Sequence, residues 1–511
     1  MKYKLNKYIR VRFAPSPTGP LHIGGLRTAL FNYIYAKKNN GKFILRIDDT
    51  DKKRFIKNSI NYLIDSLKWC NIKYDEGYGK KGKYKPYIQS KRLKIYKKYI
   101  NKLIKNKLAY YAFDKKKTLN LYKKKYKYFI YNCLTRKYLN NSLNINNKKI
   151  IKLIKNNKYV IRLKTPYNKI ITFYDKIYGK ISINTNKLDD KIIYRSNNTP
   201  TYHFANVIDD HLMNITHVIR GKEWLSSTPL HIIIYNYFNW KTPKFVHLPL
   251  ILNKKGKISK RNLNNNNIPI FPIKSNYKNI NVKNSYEELG FLPEALINIM
   301  ALLGWQPNIN NEIFNINTII KLFTLKDINK SDVHLNFKKS CWINHKYINI
   351  NKINNNKKIF NLLKKFLIYS HIYTNDKLLN KIINLIVNRI KLININEIWY
   401  NSYYFFIIPK KFYIPLNIKK YIISNKKKII NYFFKLNCFF KKNPNKKQII
   451  LFFKNLQNNN NDYYLFLKII RILIIGELKG ISLFDIFYIL NYKNIIFRIN
   501  NFKYIILNYY K

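Results

Sequence analysis

The chain has 511 residues, with 97 Lys or Arg against 24 Asp or Glu, and a formal net charge of +73. A chain of this length is too long to fold around a single hydrophobic core, and its length predicts about three or four domains. Its apolar runs stop short of the roughly 18 residues that a membrane-spanning helix needs, and no apolar signal segment follows its first residues. We therefore expect a soluble, cytoplasmic protein with no membrane partner.

The large positive charge favours a polyanionic partner such as nucleic acid. The same excess of Lys, Asn, Ile, Tyr and Phe arises from AT-rich codons, so charge alone does not separate a nucleic-acid surface from solvated side chains. The four cysteines are Cys70, Cys133, Cys341 and Cys438, and no two form a C-x-x-C pair. We therefore predict no disulfide framework, no zinc and no other metal site of the protein's own.

The first 51 residues show a strand, a shaped loop, a helix and a second strand. Residues 9–14 alternate apolar and basic side chains, as a half-buried strand does. Residues 15–25 hold three prolines and three glycines, and residues 26–41 carry apolar side chains at helical spacing up to a terminal glycine. Residues 43–47 are again strand-like and lead into an acidic cluster at 48–51. This order predicts a βαβ unit and an α/β fold.

The loop ends in His22-Ile23-Gly24-Gly25, at the predicted start of the helix. Backbone N–H groups at a helix N-terminus favour an anion, and we expect those of Gly24 and Gly25 to be exposed there beside the His22 side chain. The spacing matches neither G-x-G-x-x-G nor G-x-x-x-x-G-K-[ST]. Taken alone, an ordinary turn is the simpler interpretation.

A second candidate site is the basic loop Lys254-Lys255-Gly256-Lys257-Ile258-Ser259-Lys260-Arg261. Its five cations surround a flexible glycine, and lysine side chains in such a loop can stabilise charge on a transferring or departing phosphate. In a chain this rich in lysine, a solvated surface loop is an equally good interpretation.

Taken together, the two motifs resemble those of the glutamyl-tRNA synthetase family, whose members are class I aminoacyl-tRNA synthetases. Residues 22–25 are similar to the His-Ile-Gly-His signature with Gly in the last place, and residues 257–261 to the Lys-Met-Ser-Lys-Ser signature. Residues 12–19 resemble the family's opening motif. Further similar segments lie at 201–210, 218–225, 290–296 and 301–305. The resemblance spans roughly residues 8–348, and beyond them it depends on position and length.

The resemblance implies an α/β protein with a class I Rossmann-like nucleotide-binding domain. The implied domains are a split catalytic domain (8–84 and 196–247), an inserted α+β acceptor-binding domain (85–195), a stem-contact domain carrying the second signature (248–345) and a helical anticodon-binding domain (346–511). The last region contains only five acidic residues. Such a basic region is suited to binding RNA. The resemblance also implies a monomer.

The activity that the resemblance implies is ATP-dependent activation of L-glutamate to glutamyl-adenylate, followed by transfer to the 3′ end of tRNA(Glu) in protein synthesis. The implied catalytic residues are His22, Lys257 and Lys260. The implied ATP-binding residues are His22, Gly24, Gly25, Leu250, Ile251, Lys257, Ser259 and Lys260. We expect Mg²⁺ to accompany ATP.

The resemblance also implies a glutamate pocket in which arginines meet the anionic side chain. The implied glutamate-binding residues are Arg12, Ala14, Ser16, Asp48, Tyr202, Asn206 and Arg220. The family usually has Glu where this chain has Asp48, which keeps the charge expected at the substrate's ammonium group but shortens the reach by one methylene.

Three alternatives stay open. The enzyme could also charge tRNA(Gln), which depends on anticodon contacts after residue 350. A truncated relative that glutamylates a modified tRNA base would lack the long basic extension found here. A non-catalytic tRNA-binding paralogue would be expected to lose His22 or Lys260, and this chain has both.

Overall fold

The computed structural model describes residues 8–156, 159–253, 256–257, 268–458 and 462–509. The chain forms two compact units, the first from Met1–Glu288 with Pro293–Ser340 and the second from Leu289–Leu292 with Cys341–Lys511. Among the helices of the described residues, none is long and apolar enough to cross a membrane.

The first unit mixes strands and helices. Its elements in chain order are β1 (Arg10–Phe13), α1 (Ile23–Lys38), β2 (Lys42–Leu45), α2 (Ser59–Trp69), β3 (Glu76–Gly77), α3 (Leu93–Lys105), β4 (Ala109–Ala112), α4 (Lys116–Lys125), α5 (Asn147–Lys155), β5 (Val160–Leu163), β6 (Ile170–Asp175), β7 (Gly179–Asn184), β8 (Ile192–Arg195), α6 (Tyr202–Leu212), β9 (His217–Gly221), α7 (Thr228–Tyr237), β10 (Lys244–Leu248), β11 (Ile251–Asn253), β12 (Gly256–Lys257), α8 (Pro293–Leu302), α9 (Ile316–Leu322) and β13 (Val333–His334).

Every later element described is helical. These helices are α10 (Phe337–Ile350), α11 (Lys352–Tyr369), α12 (Asp376–Ile386), α13 (Ile395–Ser402), α14 (Leu416–Ser424), α15 (Lys426–Lys441), α16 (Lys446–Asn458), α17 (Tyr463–Ile475), α18 (Leu483–Ile489) and α19 (Tyr492–Tyr509). In the second unit the Arg498 guanidinium is buried and donates to the carbonyl oxygens of Ile474 and Tyr404, at 2.6 and 2.7 Å.

The predicted βαβ unit and the α/β fold are confirmed. β1 and β2 pair in parallel, α1 crosses between them, and β3 extends the sheet on the far side of β2. The turn after α1 differs in one detail from the sequence prediction. Asn40, with φ 49°, takes the left-handed conformation, whereas Gly41 is required because a Cβ there would lie 2.3 Å from the Ile9 carbonyl oxygen.

A second sheet continues this core, in the order β7-β6-β10-β9, with β10 parallel to both β6 and β9. β1 and β9 meet where they begin, because the Thr216 backbone N–H donates to the Arg10 carbonyl oxygen at 2.9 Å. The last residues of the two strands, Phe13 and Gly221, line one cleft, so the carboxyl ends of β1 and β9 lie at the same edge. In open α/β folds ligands bind at this edge, where the chain order of the strands changes direction.

The segment predicted as an insertion contributes to two sheets. β4, β5 and β8 form an antiparallel sheet of their own. β6 and β7 fall in the same range of residues but belong to the second sheet, where β6 pairs with β10 and β7 pairs with β6. Tyr110 and Tyr131 pack in a small aromatic core beside this antiparallel sheet. The domain boundaries inferred from the sequence stay predictions.

Candidate active site

A cleft of about 490 Å³ opens at the carboxyl ends of β1 and β9. Most of the residues that the sequence assigns to substrate binding line it, namely Arg12, Ala14, Ser16, His22, Gly24, Gly25, Tyr202, Arg220, Leu250 and Ile251. Asp48 and Asn206 are buried and do not line the cleft. The structure thus brings residues from distant parts of the chain to one cleft.

His22 caps the N-terminus of α1. Its Nδ1 atom accepts hydrogen bonds from the backbone N–H groups of Gly24 and Gly25, at 3.0 and 3.3 Å. The sequence predicted that these N–H groups are exposed to an anion. In the structure they are not, because the His22 side chain already accepts their hydrogen bonds. Since Nδ1 accepts, the ring proton of neutral His22 lies on Nε2.

Glycine at position 24 is a steric requirement of this cap. A Cβ on Gly24 would lie 2.9 Å from the Cε1 atom of His22, inside the contact distance that the ring needs. Glycine at position 24 therefore lets the His22 ring lie closer to the first turn of α1 than a residue with a Cβ at that position would allow.

A buried ion-pair lattice forms the floor behind the cleft. Arg12 donates from Nε and Nη2 to the two carboxylate oxygens of Asp210, at 3.0 and 3.1 Å. Arg46 also reaches Asp210, at 2.7 Å, and donates to both oxygens of Asp48, at 2.8 and 3.3 Å. Bidentate pairs of this kind fix the geometry of every group in the lattice.

Asp48 is thus placed differently from the sequence expectation of direct contact with the substrate's ammonium group. Its side chain has no exposed surface and both of its oxygens are engaged by Arg46, two residues earlier on the same strand end. Burial raises the pKa of Asp48 to about 6, and the Arg46 charge opposes that shift. The shorter Asp side chain stays with its arginine instead of reaching into the cleft.

Asn206 is also set back from the cleft. It lies one turn after Tyr202 on α6, and its Oδ1 accepts a long hydrogen bond of 3.5 Å from Nη2 of Arg12. Its buried Nδ2 has no hydrogen-bond partner among the residues that the structure describes. Tyr202 itself faces the cleft and packs against Trp224, with ring centroids 4.3 Å apart.

Arg220, at the end of β9, is a buried cation whose hydrogen-bond partners are neutral. Nε donates to Nε2 of His247 at 3.0 Å, and Nη1 contacts Nδ1 of His231 at 3.2 Å. Nη2 donates to Thr228 Oγ1 at 2.9 Å and to the Trp224 carbonyl oxygen at 3.4 Å. Among the described residues no carboxylate forms an ion pair with Arg220. Its positive charge is therefore available to an anionic ligand in the cleft.

Leu250 and Ile251 line the cleft a few residues before the second motif in the chain. Leu250 donates its N–H to Asp332 at 2.9 Å and accepts from the Val333 N–H at 2.9 Å, so its backbone is already paired within the chain. Ile251 begins β11, which pairs with the short strand β12 that contains Lys257. Ser259 and Lys260 lie outside the described residues.

Several polar residues at the site escaped the sequence interpretation. Arg27 and Glu223 line the cleft, and Asp175, Thr228, His231 and His247 lie around Arg220. One signal was available for His231, which is a polar side chain directly before the apolar run Ile232–Ile234 of α7. The sequence contains no comparable signal for Asp175, since 45 residues separate it from Arg220.

Five histidines of the first unit are held neutral by burial. Burial lowers the pKa of His203 and His217 to about 4, and lowers those of His211, His231 and His247 as well. The unfolded chain therefore binds more protons than the folded chain between about pH 6.5 and 4. This stabilisation is present above that window and is lost as the pH falls through it.

We expect the free energy of unfolding to decrease as the pH is lowered from 7 to 5, and the urea midpoint to decrease with it. His203 and His217 should each contribute about 1–2 kcal/mol to this loss. Asp48, with its raised pKa, contributes in the opposite direction below about pH 6. Urea titrations at pH 7, 6 and 5 measure the slope, and His217→Gln should make it shallower. A midpoint that rises on acidification would contradict the assignment of neutral histidines.

The parallel core, the histidine that caps α1 and the cleft at the strand ends define the catalytic domain of a class I aminoacyl-tRNA synthetase. The family model described as tRNA synthetases class I (E and Q), catalytic domain, matches residues 8–342. The chain belongs to this family.

Relatives cover most of the chain. A glutamate–tRNA ligase of Azobacteroides pseudotrichonymphae is 46% identical over 410 residues, which are 79% of this chain and 80% of the relative. One of Parabacteroides distasonis is 38% identical over 487 residues, or 94% and 95%. The crystal structure of a glutamate tRNA ligase from Elizabethkingia meningosepticum, in complex with its amino acid, is 37% identical with a TM-score of 0.83, over 96% of this chain and 98% of that one.

Proposed function

We propose that this chain is a glutamate–tRNA ligase, which uses ATP to convert L-glutamate to glutamyl-adenylate and then transfers the glutamyl group to the 3′ end of tRNA(Glu). The observation that carries the proposal is the buried guanidinium of Arg220, which lines the cleft and, among the described residues, has neutral hydrogen-bond partners only. A buried cation without a counter-charge is costly, and an anionic ligand relieves that cost.

Activation needs alignment more than covalent participation by the protein. The α-carboxylate oxygen of glutamate attacks the α-phosphate, and the bond to the β-phosphate oxygen breaks as pyrophosphate leaves. We propose that the Nε2–H of His22 donates to a phosphate oxygen of ATP. The cations of Lys257 and Lys260, with Ser259, would stabilise the charge on the transferring and departing phosphates. Mg²⁺ bound to ATP would supply further charge neutralisation.

Glutamate is proposed to bind with its side-chain carboxylate on Arg220. Tyr202, Ala14 and Ser16 line the same cleft and would surround the rest of the amino acid. Arg12 also lines the cleft, but Asp210 already neutralises its charge. We propose that Asp48 and Asn206 act on the substrate indirectly, through the hydrogen bonds that place Arg46 and Arg12.

The direct test of this function is glutamate-dependent ATP–pyrophosphate exchange followed by charging of purified tRNA. We expect exchange with L-glutamate and not with L-glutamine, and charging of tRNA(Glu). The helical second unit is proposed to contact the anticodon, in a monomeric cytoplasmic enzyme. Binding of tRNA without exchange or charging would overturn the proposal in favour of a non-catalytic paralogue. Charging of both tRNA(Glu) and tRNA(Gln) would identify a non-discriminating enzyme.

Lys260→Ala is expected to slow pyrophosphate exchange by about 10²–10³-fold, because a cation that stabilises the departing phosphates acts mainly in the transition state. Binding of tRNA should change little. Exchange kinetics and filter binding of tRNA measure the two effects. Lys68→Ala removes an exposed lysine whose nearest carboxylate oxygen, on Asp65, is 4.0 Å away, and serves as the matched control. Equal losses of exchange and tRNA binding in Lys260→Ala would show that Lys260 contacts only the RNA backbone.

A further inference from the structure

The guanidinium plane of Arg220 is held from behind by a histidine and a carboxylate that themselves stay away from the cleft. An arginine has no hydrogen-bond acceptor, so Nε2 of His247 must accept from Nε of Arg220. The proton of neutral His247 is therefore on Nδ1, which lies 2.7 Å from Oδ2 of Asp175. This carboxylate fixes both the tautomer and the orientation of the ring.

Asp175 is itself immobilised by the hairpin between β6 and β7. Its Oδ1 accepts from the backbone N–H groups of Ile177 and Tyr178, at 2.9 and 3.0 Å, and its side chain is fully buried. Asp175 pairs with Phe245 of β10, the strand that carries His247 two residues later. The hairpin, β10 and β9 thus hold Asp175, His247 and Arg220 in one row.

A second histidine path fixes the opposite edge of the guanidinium. Nδ1 of His231 faces Nη1 of Arg220, so it too must accept, and the His231 proton lies on Nε2. That atom is 3.1 Å from Nδ1 of His203. With Thr228 on Nη2, these hydrogen bonds fix the orientation of the guanidinium, and its partners among the described residues are all uncharged.

We propose that Asp175 and His247 are positioning residues for glutamate: Asp175 fixes the tautomer of His247, and His247 fixes the Arg220 guanidinium in the plane that receives the substrate's side-chain carboxylate. The inference rests on the proposed function. The arrangement resembles the carboxylate–histidine pairs that orient metal ions, with a guanidinium in the place of the metal, and loss of such outer partners typically costs about 10–100-fold in affinity.

Asp175→Asn is the sharpest test. The Asn Oδ1 can still accept from Ile177 and Tyr178, but its amide N–H would face Nδ1 of His247 and drive the ring proton to Nε2, against the Arg220 N–H. We expect the KM for glutamate in pyrophosphate exchange to rise about 10–100-fold, with the KM for ATP unchanged. Calorimetric binding of glutamate should weaken by the same factor.

A conservative replacement separates orientation from packing. Gln at position 247 can accept from Arg220 and donate to Asp175, so His247→Gln should retain most of the glutamate affinity that His247→Leu loses. His217→Gln is the matched control, because His217 is a buried histidine of β9 that contacts Tyr35 at 3.0 Å and not Arg220. It should leave both KM values unchanged.

The outcomes separate the two levels of the proposal. A wild-type chain with neither glutamate-dependent exchange nor charging of tRNA(Glu) would remove the proposed function itself. An active wild type with an unchanged glutamate KM in Asp175→Asn would remove only the positioning role. Parallel rises in the KM for glutamate and ATP, or equal losses in His247→Gln and His247→Leu, would likewise overturn it in favour of general packing.

Discussion

Replacing Arg220 with glutamine is expected to lower kcat/KM for glutamate in pyrophosphate exchange by about 10³-fold. The variant removes the positive charge and leaves the buried acceptors on His247, His231 and Thr228 without the guanidinium that satisfies them. Truncating one side of a buried charged hydrogen bond costs about 2–5 kcal/mol, which is about 30–4,000-fold. Discrimination against glutamine should fall as well, because the pocket would then meet the substrate side chain with a neutral amide.

Steady-state exchange kinetics with glutamate and with glutamine measure both effects. Arg54→Gln is the control for loss of an arginine, since Arg54 is 72% exposed and forms a surface ion pair with Asp51. It should leave kcat/KM within about twofold. An Arg220→Gln enzyme with the kcat/KM of the wild type would show that glutamate's side chain binds elsewhere, even if the chain is the proposed ligase.

The βαβ unit could be predicted because its signals are local. Proline and glycine mark the loop, apolar spacing marks α1, and β1 and β2 alternate or run apolar within a few residues. The contact between β1 and β9 is different in kind, since more than 200 residues separate Arg10 from Thr216. Such a pairing is decided by the packing of the whole sheet and leaves no periodic trace in the sequence.

The site shows the same division. His22 and Arg220 belong to recognisable motifs, and the structure places both on one cleft. A motif identifies a residue type and a position, but it does not say which partners that side chain already has. The cap formed by His22 and the pairing of Asp48 with Arg46 both depend on local geometry. The row of Asp175, His247 and Arg220 depends on the order of β6, β10 and β9 in the sheet, which no motif specifies.

His22→Ala is expected to slow pyrophosphate exchange by about 10²–10³-fold and to destabilise the first unit by about 1 kcal/mol. The two losses have separate origins. The Nε2–H is proposed to donate to a phosphate of ATP, and its loss removes charge stabilisation in the transition state. The Nδ1 atom caps α1 by accepting from Gly24 and Gly25, and its loss leaves those N–H groups without their side-chain partner.

His22→Asn separates these two roles. The Asn side-chain oxygen is among the best N-cap acceptors, so the variant should keep the urea midpoint of the wild type. It carries no group that reaches as far as the histidine Nε2, so its exchange rate should fall with that of His22→Ala. Urea titration and exchange kinetics on the two variants decide the matter. An Asn variant with the wild-type exchange rate would mean that His22 serves only as the cap of α1, and that a different residue donates to ATP.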